Sequence, residues 1–176
     1  MTIIEVIDTA VKVGLGALIS GFSAFWISKN RFSHELKSER YRRHMDLLEQ
    51  SAEQVEECSH VVLRYWALMT ELVRNQNSNS KMQSHRYEEL QKVKDELFLI
   101  FKNLTSAEAK LLLLGLGDAQ KMLRNYGEVA VRFRREAHEG ADGLTEEKMN
   151  SHREEVLDAR RKFFSTLSYE YRRLMG

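Results

Sequence analysis

The sequence predicts an all-α fold: one N-terminal transmembrane helix, then a long helical stalk and a cytoplasmic helical bundle. Three observations predict it. Residues Thr9–Ser28 form a 20-residue apolar run whose one charge is Lys12. From Tyr41 to Val73, apolar or small residues recur at alternating steps of 4 and 3, the spacing of one face of a helix. Pro is absent from all 176 residues, which removes the strongest helix breaker.

A helix over Thr9–Ser28 would rise ~30 Å, the thickness of a bilayer's hydrocarbon core. It would show Gly, Ser and Lys12 but no charged face, as a membrane span does. Ala10, Gly14, Ala17, Gly21, Ala24 and Ser28 follow at steps of 4, 3, 4, 3 and 4 and form one stripe of small residues. Lipid gives no hydrophobic drive for helix association, so close packing through small residues must supply it. The stripe therefore predicts a homo-oligomer packed through its membrane helices. Asp8, Lys12, Gly16, Ser20 and Ser23 form a weaker stripe beside it. That stripe either lines a pore or is tolerated near a membrane end, with Lys12 paired to Asp8 or snorkelling to the headgroups.

Charge sets the orientation. Glu5 and Asp8 precede the run, while Lys29, Arg31, Lys37, Arg40, Arg42 and Arg43 follow it. The excess of basic residues places the C-terminal side in the cytoplasm, with Phe22, Phe25 and Trp26 at the interfacial belt. No small-x-small cleavage site follows Trp26, so the run reads as an anchor rather than a cleaved signal. The expected organisation is an anchor over 1–31 and a cytoplasmic all-α domain over 32–176, held at the inner (plasma) membrane.

The remaining elements follow in order. The heptad seam runs through Tyr41, Met45, Leu48, Ala52, Val55, Ser59, Val62, Trp66, Met69 and Val73. It serves either an intramolecular hairpin or an intermolecular coiled coil, with coiled-coil-like contacts expected nearer the membrane. Val61, Leu63, Tyr65 and Leu68 widen it toward bundle packing at its far end. Asn75–Ser84 is a polar loop. A helix returns from His85 to about Lys102, with Tyr87, Leu90, Leu97, Ile100 and Phe101 inward. Thr105 and Glu108 have capping-box spacing and predict a new helix into Leu111–Leu114, buried on all sides. Asp118 is placed to cap the next helix, to about Glu139, Gly140–Gly143 turns the chain, and Thr145 caps a last helix to about Met175. The sum is a bundle of four or five helices.

Composition excludes several chemistries. The formal net charge is +1, so any polyanion site must be local. The one cysteine, Cys58, permits neither an internal disulfide nor a thiolate metal site within one chain. No catalytic motif is present, and the chain reads as a non-enzyme without a cofactor. Glu57 and His60 make one Glu-x-x-His, but a carboxylate-bridged metal bundle needs two, so no metal is expected. Gly115-Leu116-Gly117 lacks the strand that precedes a phosphate loop, and Asp118 would repel an anion there.

The candidate site is cationic. The last helix has an apolar seam through Met149, Val156, Phe163, Leu167 and Leu174, and Arg153 and Arg160 fall on that spacing. An arginine directed toward a core requires an acid or an anionic ligand. The preceding helix adds Arg124, Arg132 and Arg135, with Lys121, at helical spacing. Tyr126, Phe133, Tyr169 and Tyr171 are near enough in sequence to stack bases. Against this, Glu128, Glu136, Glu154, Glu155 and Asp158 are placed to neutralise these cations as surface ion pairs.

Two function classes follow. One is a membrane-anchored oligomeric effector or sensor whose bundle binds an anionic signal and changes the packing of the membrane helices. The other is a membrane-tethered structural or adaptor module whose stalk recruits a protein partner. The layout of anchor, cytoplasmic bundle and homo-oligomer resembles the small single-pass membrane effectors of bacterial anti-phage defence, nearest the type III CRISPR membrane effector gated by cyclic oligoadenylate. That resemblance covers architecture only and brings no site residue with it. It implies a cyclic oligonucleotide ligand and membrane perturbation as the output.

Overall fold

In the computed structural model the backbone is described from Ile3 to Met175 and the side chains from Ser38 to Arg173. Among the described residues the fold is all-α, with four helices: α1 (Ile3–Asn77), α2 (Ser84–Leu113), α3 (Gly117–Glu136) and α4 (Glu146–Met175). The chain divides into two compact units, Met1–His44 and Met45–Gly176. From Ile3 to His44 the backbone of the first unit belongs to α1. The predicted span Thr9–Ser28, its small-residue stripe Ala10, Gly14, Ala17, Gly21, Ala24 and Ser28, and the stripe beside it have side chains outside the described residues. Among the described residues no helix is long and apolar enough to cross a membrane.

The second unit is a four-helix bundle with up-down-up-down topology. Cross-helix bonds fix each direction. Between α1 and α2, Glu57 accepts from Asn103 at 3.1 Å, Arg64 meets Glu96 at 3.1 Å and Glu71 meets Arg86 at 2.7 Å, an antiparallel series. Between α1 and α4, Trp66 Nε1 donates to the Met149 carbonyl at 2.8 Å and Arg74 reaches Glu146 at 2.7 Å. Arg132 of α3 meets Glu155 of α4 at 2.5 Å, and Arg124 of α3 is paired with Glu108 of α2. α1 and α3 face each other across the centre and run the same way. Ser59 and Tyr126 share a hydrogen bond of 2.9 Å there, and Tyr65 donates to the Ala137 carbonyl at 2.5 Å.

The seam of α1 is consumed inside this bundle. Met45, Leu48, Val55, Ser59, Val62, Met69 and Val73 are buried, with Val61, Tyr65 and Leu68 buried beside them. Of the two uses open to the seam, the stretch from Met45 to Val73 serves the intramolecular one. Tyr41, ahead of it, is exposed. Tyr65, Tyr126, Phe133 and Phe163 are the bulkiest fully buried side chains, and the Tyr65 and Phe133 rings meet edge-on at 5.6 Å.

Helix ends follow from local chemistry. α1 stops where Asn79 adopts φ 49°: Ser80 N–H bonds the Asn75 carbonyl and Asn79 N–H bonds that of Gln76. This is a left-handed C-cap, and Asn tolerates the required φ. α2 ends the same way at Gly115, φ 71°, with Leu116 N–H on the Leu111 carbonyl. Leu111 and Leu116 are both buried, the apolar contact that accompanies such a cap. Gly115 thus terminates α2, whereas Gly117 is the first residue of α3; the cap position there is Leu116, so Asp118 lies in the first turn of α3 and is not its cap. Thr145 caps α4 as expected, its Oγ1 accepting from Lys148 N–H at 3.2 Å.

Two expectations are corrected. α2 does not break between Lys102 and Thr105. Leu90, Val93, Leu97, Leu104, Ala107 and Leu111 keep one buried face through that point, and no Gly or Pro intervenes. Thr105 is exposed and Glu108 accepts from Gln120 and Arg124 of α3, so the capping-box spacing is coincidental. The leucine run is not buried on all sides either: Leu111 is covered while Leu112 and Leu113 remain 55% and 81% exposed. A helix places consecutive residues ~100° apart, and α2 packs through one face only.

The central hydrogen bonds rank two substitutions. In Tyr126→Phe, Ser59 keeps its bond to the Val55 carbonyl, so the loss should be about 1 kcal/mol. Tyr65→Phe strands the Ala137 carbonyl of a fully buried residue, and should cost more, about 1–3 kcal/mol. Urea unfolding of the full chain measures both. The reverse order would show that the Ala137 carbonyl finds another donor.

Candidate functional site

α4 carries two kinds of surface. Its buried seam is Met149, Val156, Ala159, Phe163 and Leu167. Arg153 and Arg160 flank this seam and do not enter it. The Arg153 guanidinium lies 5.1 Å from the centre of the Trp66 ring, and that of Arg160 lies 5.0 Å from the Phe164 ring. Each guanidinium therefore lies over an aromatic face while its side chain stays partly hydrated. Arg153 also meets Glu154 at 3.0 Å, and Arg160 is paired with Glu56 of α1.

The arginines of α3 do not converge. Arg124 turns to Glu108 of α2, Arg132 to Glu155 of α4, and Arg135 reaches its neighbour Glu136 at 3.8 Å. Glu154, Glu155 and Glu136 are among the acids the sequence offers as neutralisers; Glu108 comes from the preceding helix α2 and Glu56 from α1, far away in sequence. Of the aromatics, Tyr126 and Phe133 are buried in the core and Tyr169 is exposed. None of these three lines the groove that holds Arg160.

What the fold does assemble is that groove, which runs along α4 and is centred on Phe164. One part, about 570 Å³, is lined by Leu157, Arg160, Arg161, Phe164, Ser165, Ser168 and Arg172. The other, about 240 Å³, lies between α1 and α4 and is lined by Leu48, Ala52, Phe164, Leu167 and Tyr171, with Glu49 and Ser168. Phe164 and Ser168 belong to both. The first part holds three guanidiniums and no carboxylate; the second is apolar apart from its rim. Asp158 lies outside the lining and is shared: it meets Arg161 at 3.6 Å and Lys162 at 2.8 Å. The hydrogen bond from Lys162 is the main reason its carboxyl sits below the usual range. Arg172 donates to the Ser168 carbonyl at 3.3 Å.

Arg161 and Arg172 are absent from the sequence-derived candidates, yet the signal exists. Arg161, Ser165, Ser168 and Arg172 follow at steps of 4, 3 and 4, one polar face of α4. The two parts together suit an anion joined to a flat or apolar portion. Guanidiniums hold phosphate oxygens in a fork, and Phe164 and Tyr171 offer ring faces.

Other chemistry is not assembled. No group of three or more metal-ligating side chains occurs among the described residues. Glu57 accepts from Asn103, and His60 is exposed. A hollow of about 400 Å³ beside the α3–α4 connection sets Glu136 and Asp142 side by side with Lys148 and His152, and gathers no cluster of one charge. Cys58 is fully buried, and its thiol is pushed up to about 12 by desolvation. A thiol held protonated is no nucleophile.

Comparison with known proteins finds no matching family model, no similar curated protein and no similar solved structure.

Burial makes a prediction about pH. Desolvation raises the Cys58 thiol from 9.0 and the Tyr65 hydroxyl from 10.0, each to about 12. Both are neutral acids in the fold, so above pH 9 the unfolded chain releases protons that the folded chain retains. Their contribution is complete below pH 9 and is lost as pH rises toward 12. The slope is at most ~1.4 kcal/mol per pH unit for each group. Cys58→Ala should flatten the fall just above pH 9 in urea titrations. A slope unchanged by that substitution would mean the thiol ionises inside the fold.

Proposed function

We propose that this chain is a membrane-anchored, homo-oligomeric effector or sensor whose helical domain binds an anionic ligand in the α4 groove. The observation that carries the reading is that Arg160, Arg161 and Arg172 line one hollow beside Phe164, with an apolar trough continuing to Leu48 and Tyr171. A cyclic oligonucleotide has the matching chemistry, with several phosphates and flat bases on one small molecule. The resemblance in layout to membrane effectors of anti-phage defence points to the same ligand class. The hydropathy and flanking charges of residues 1–31 support the anchor, the stripe from Ala10 to Ser28 supports the oligomer, and the missing catalytic motifs support a non-enzyme.

The coupling has a concrete route. Arg160 is held by Glu56 of α1, the helix whose first part carries the predicted span. A phosphate taken up by Arg160 competes with Glu56 and so acts on the contact between α1 and α4. The ligand shifts membrane-helix packing only to the extent that it binds one arrangement more tightly. An adaptor acting through the stalk has less surface to use, because the seam from Met45 to Val73 is already covered by the bundle.

Full-length chain in detergent should melt about 5–10 °C higher with a cyclic oligoadenylate at a hundred times its dissociation constant. Arg160→Glu or Arg172→Glu should abolish the shift, while Arg135→Glu, away from the groove, should not. Equal loss in all three variants would reduce the effect to net charge, and silence toward every phosphate ligand would end the anion reading.

Lysis without detergent should leave the chain in the membrane fraction. Gly14→Leu combined with Gly21→Leu should break its oligomer in mild detergent, read by light scattering. An unchanged oligomer would remove the role given to the small-residue stripe.

A further inference from the structure

The outward side of α2 is left uncovered by the bundle. Phe98 and Leu99 are 71% and 70% exposed there, and Leu113 is 81% exposed. A helix turns ~100° per residue, so Asp95 and Lys102, two turns apart, fall on nearly one line along its surface. That line lies opposite the buried residues Val93, Leu97, Leu104 and Leu111. Midway between the two charges, Phe98 and Leu99 stand on either side of it. Ser106, Ala109 and Leu113 continue it toward the end of the helix, all three exposed. Asp95 and Lys102 are exposed as well, and neither has an ion pair among the described residues.

The middle of this face therefore reads anion, apolar pair, cation. Turned end for end, it keeps the apolar pair in place and exchanges the two charges. We infer that α2 pairs with α2 of a second copy of this chain, antiparallel about a two-fold axis between Phe98 and Leu99. Asp95 then meets Lys102 of the second copy, and the contact occurs twice, as an isologous interface requires. Phe98 packs against its own counterpart on one side of the axis, and Leu99 against its own on the other. Parallel pairing would set Asp95 against Asp95 and Lys102 against Lys102, so the charges select the direction.

The length of α2 agrees with this axis. The helix runs from Ser84 to Leu113, so the axis falls at its midpoint and the two copies overlap along all ~45 Å of it. Leu113 then covers Ser84 of the second copy, and Ser106 and Ala109 are small enough to let the backbones approach. Exposed apolar side chains grouped on one face mark an interaction surface; the charge order identifies this chain's own α2 as the complement.

This contact rests on neither the anion groove nor the anchor. In each bundle α1 runs antiparallel to α2, so the Met45 ends of the two bundles lie at opposite ends of the paired helices.

Cross-linking tests the direction directly. Full-length Asp95→Cys and Lys102→Cys chains are mixed in detergent and oxidised with copper phenanthroline. The mixed disulfide should form about tenfold faster than either like-with-like disulfide, whose sulfurs the antiparallel contact holds too far apart. Buried Cys58 stays out of the reaction in the folded chain. Sedimentation is run with Gly14→Leu and Gly21→Leu in place, so that stripe packing does not mask the α2 contact. There Asp95→Lys should weaken the dimer about tenfold, and adding Lys102→Asp to the same chain should restore it. Asp95, Phe98 and Lys102 are exposed, so Asp95→Lys should melt with its parent. Like-with-like links in excess of the mixed link would overturn the antiparallel contact. So would the absence of any link, or a Phe98→Glu chain that sediments unchanged. The phosphate response of the groove is read by melting, so either result stands without the other.

Discussion

Everything in the bundle is fastened to one stretch of helix, α1 from Met45 to Val73. It buries residues on more than one side: Leu48, Val55 and Val62 with Cys58, Tyr65, Leu68 and Met69. A helix that is apolar around much of its circumference must be surrounded. α2 and α4 lie antiparallel on its flanks, and α3 closes the bundle opposite. The two polar contacts at the centre, Ser59 with Tyr126 and Tyr65 with the Ala137 carbonyl, both involve α1. Each fully buried hydroxyl needs one particular partner, so these bonds choose among the registers that apolar packing alone would allow.

The charged residues surround this core without determining it. Arg64, Arg74, Arg86, Arg124 and Arg132 reach carboxylates on neighbouring helices, all with partly exposed side chains. Pairs of that kind are worth about 0–1 kcal/mol each. The contrast with the core is large: deleting one buried aromatic side chain costs about 3–5 kcal/mol. Removing a surface acid here changes which cation is free far more than it changes whether the bundle folds. Such cations are available for other partners.

Much of the helical layout was legible because period and punctuation agree. The seam of α1, the polar loop before α2, the Thr145 cap and the glycines after α3 all announce themselves locally. The continuity of α2 did not, because Thr105 and Glu108 satisfy a capping pattern that ordinary mid-helix residues also satisfy. Only the run of Leu97, Leu104, Ala107 and Leu111 against α1 and α3 decides it. The arginines show the same limit. Spacing placed Arg153 and Arg160 on the α4 seam, yet a helix seam drifts, and Val156 and Ala159 occupy the buried positions. The partners Glu56 and Glu108 lie 104 and 16 residues from their arginines. No local rule names them, and the groove beside Phe164 exists only once α1 and α4 are set side by side.

The groove is open for a related reason. α4 supplies Phe163 and Leu167 to the core, and Phe164, one position round, can lie only at the edge. Arg160 covers one face of that ring, and α1 offers Leu48 and Ala52 on the far side. The pair between Arg160 and Glu56 is half hydrated, so exchanging the carboxylate for a phosphate forfeits little while the fork of donors is retained. A buried pair would resist that exchange by several kcal/mol. The exposure that makes this ion pair a weak support for the fold is therefore what the proposed exchange with an anion draws on.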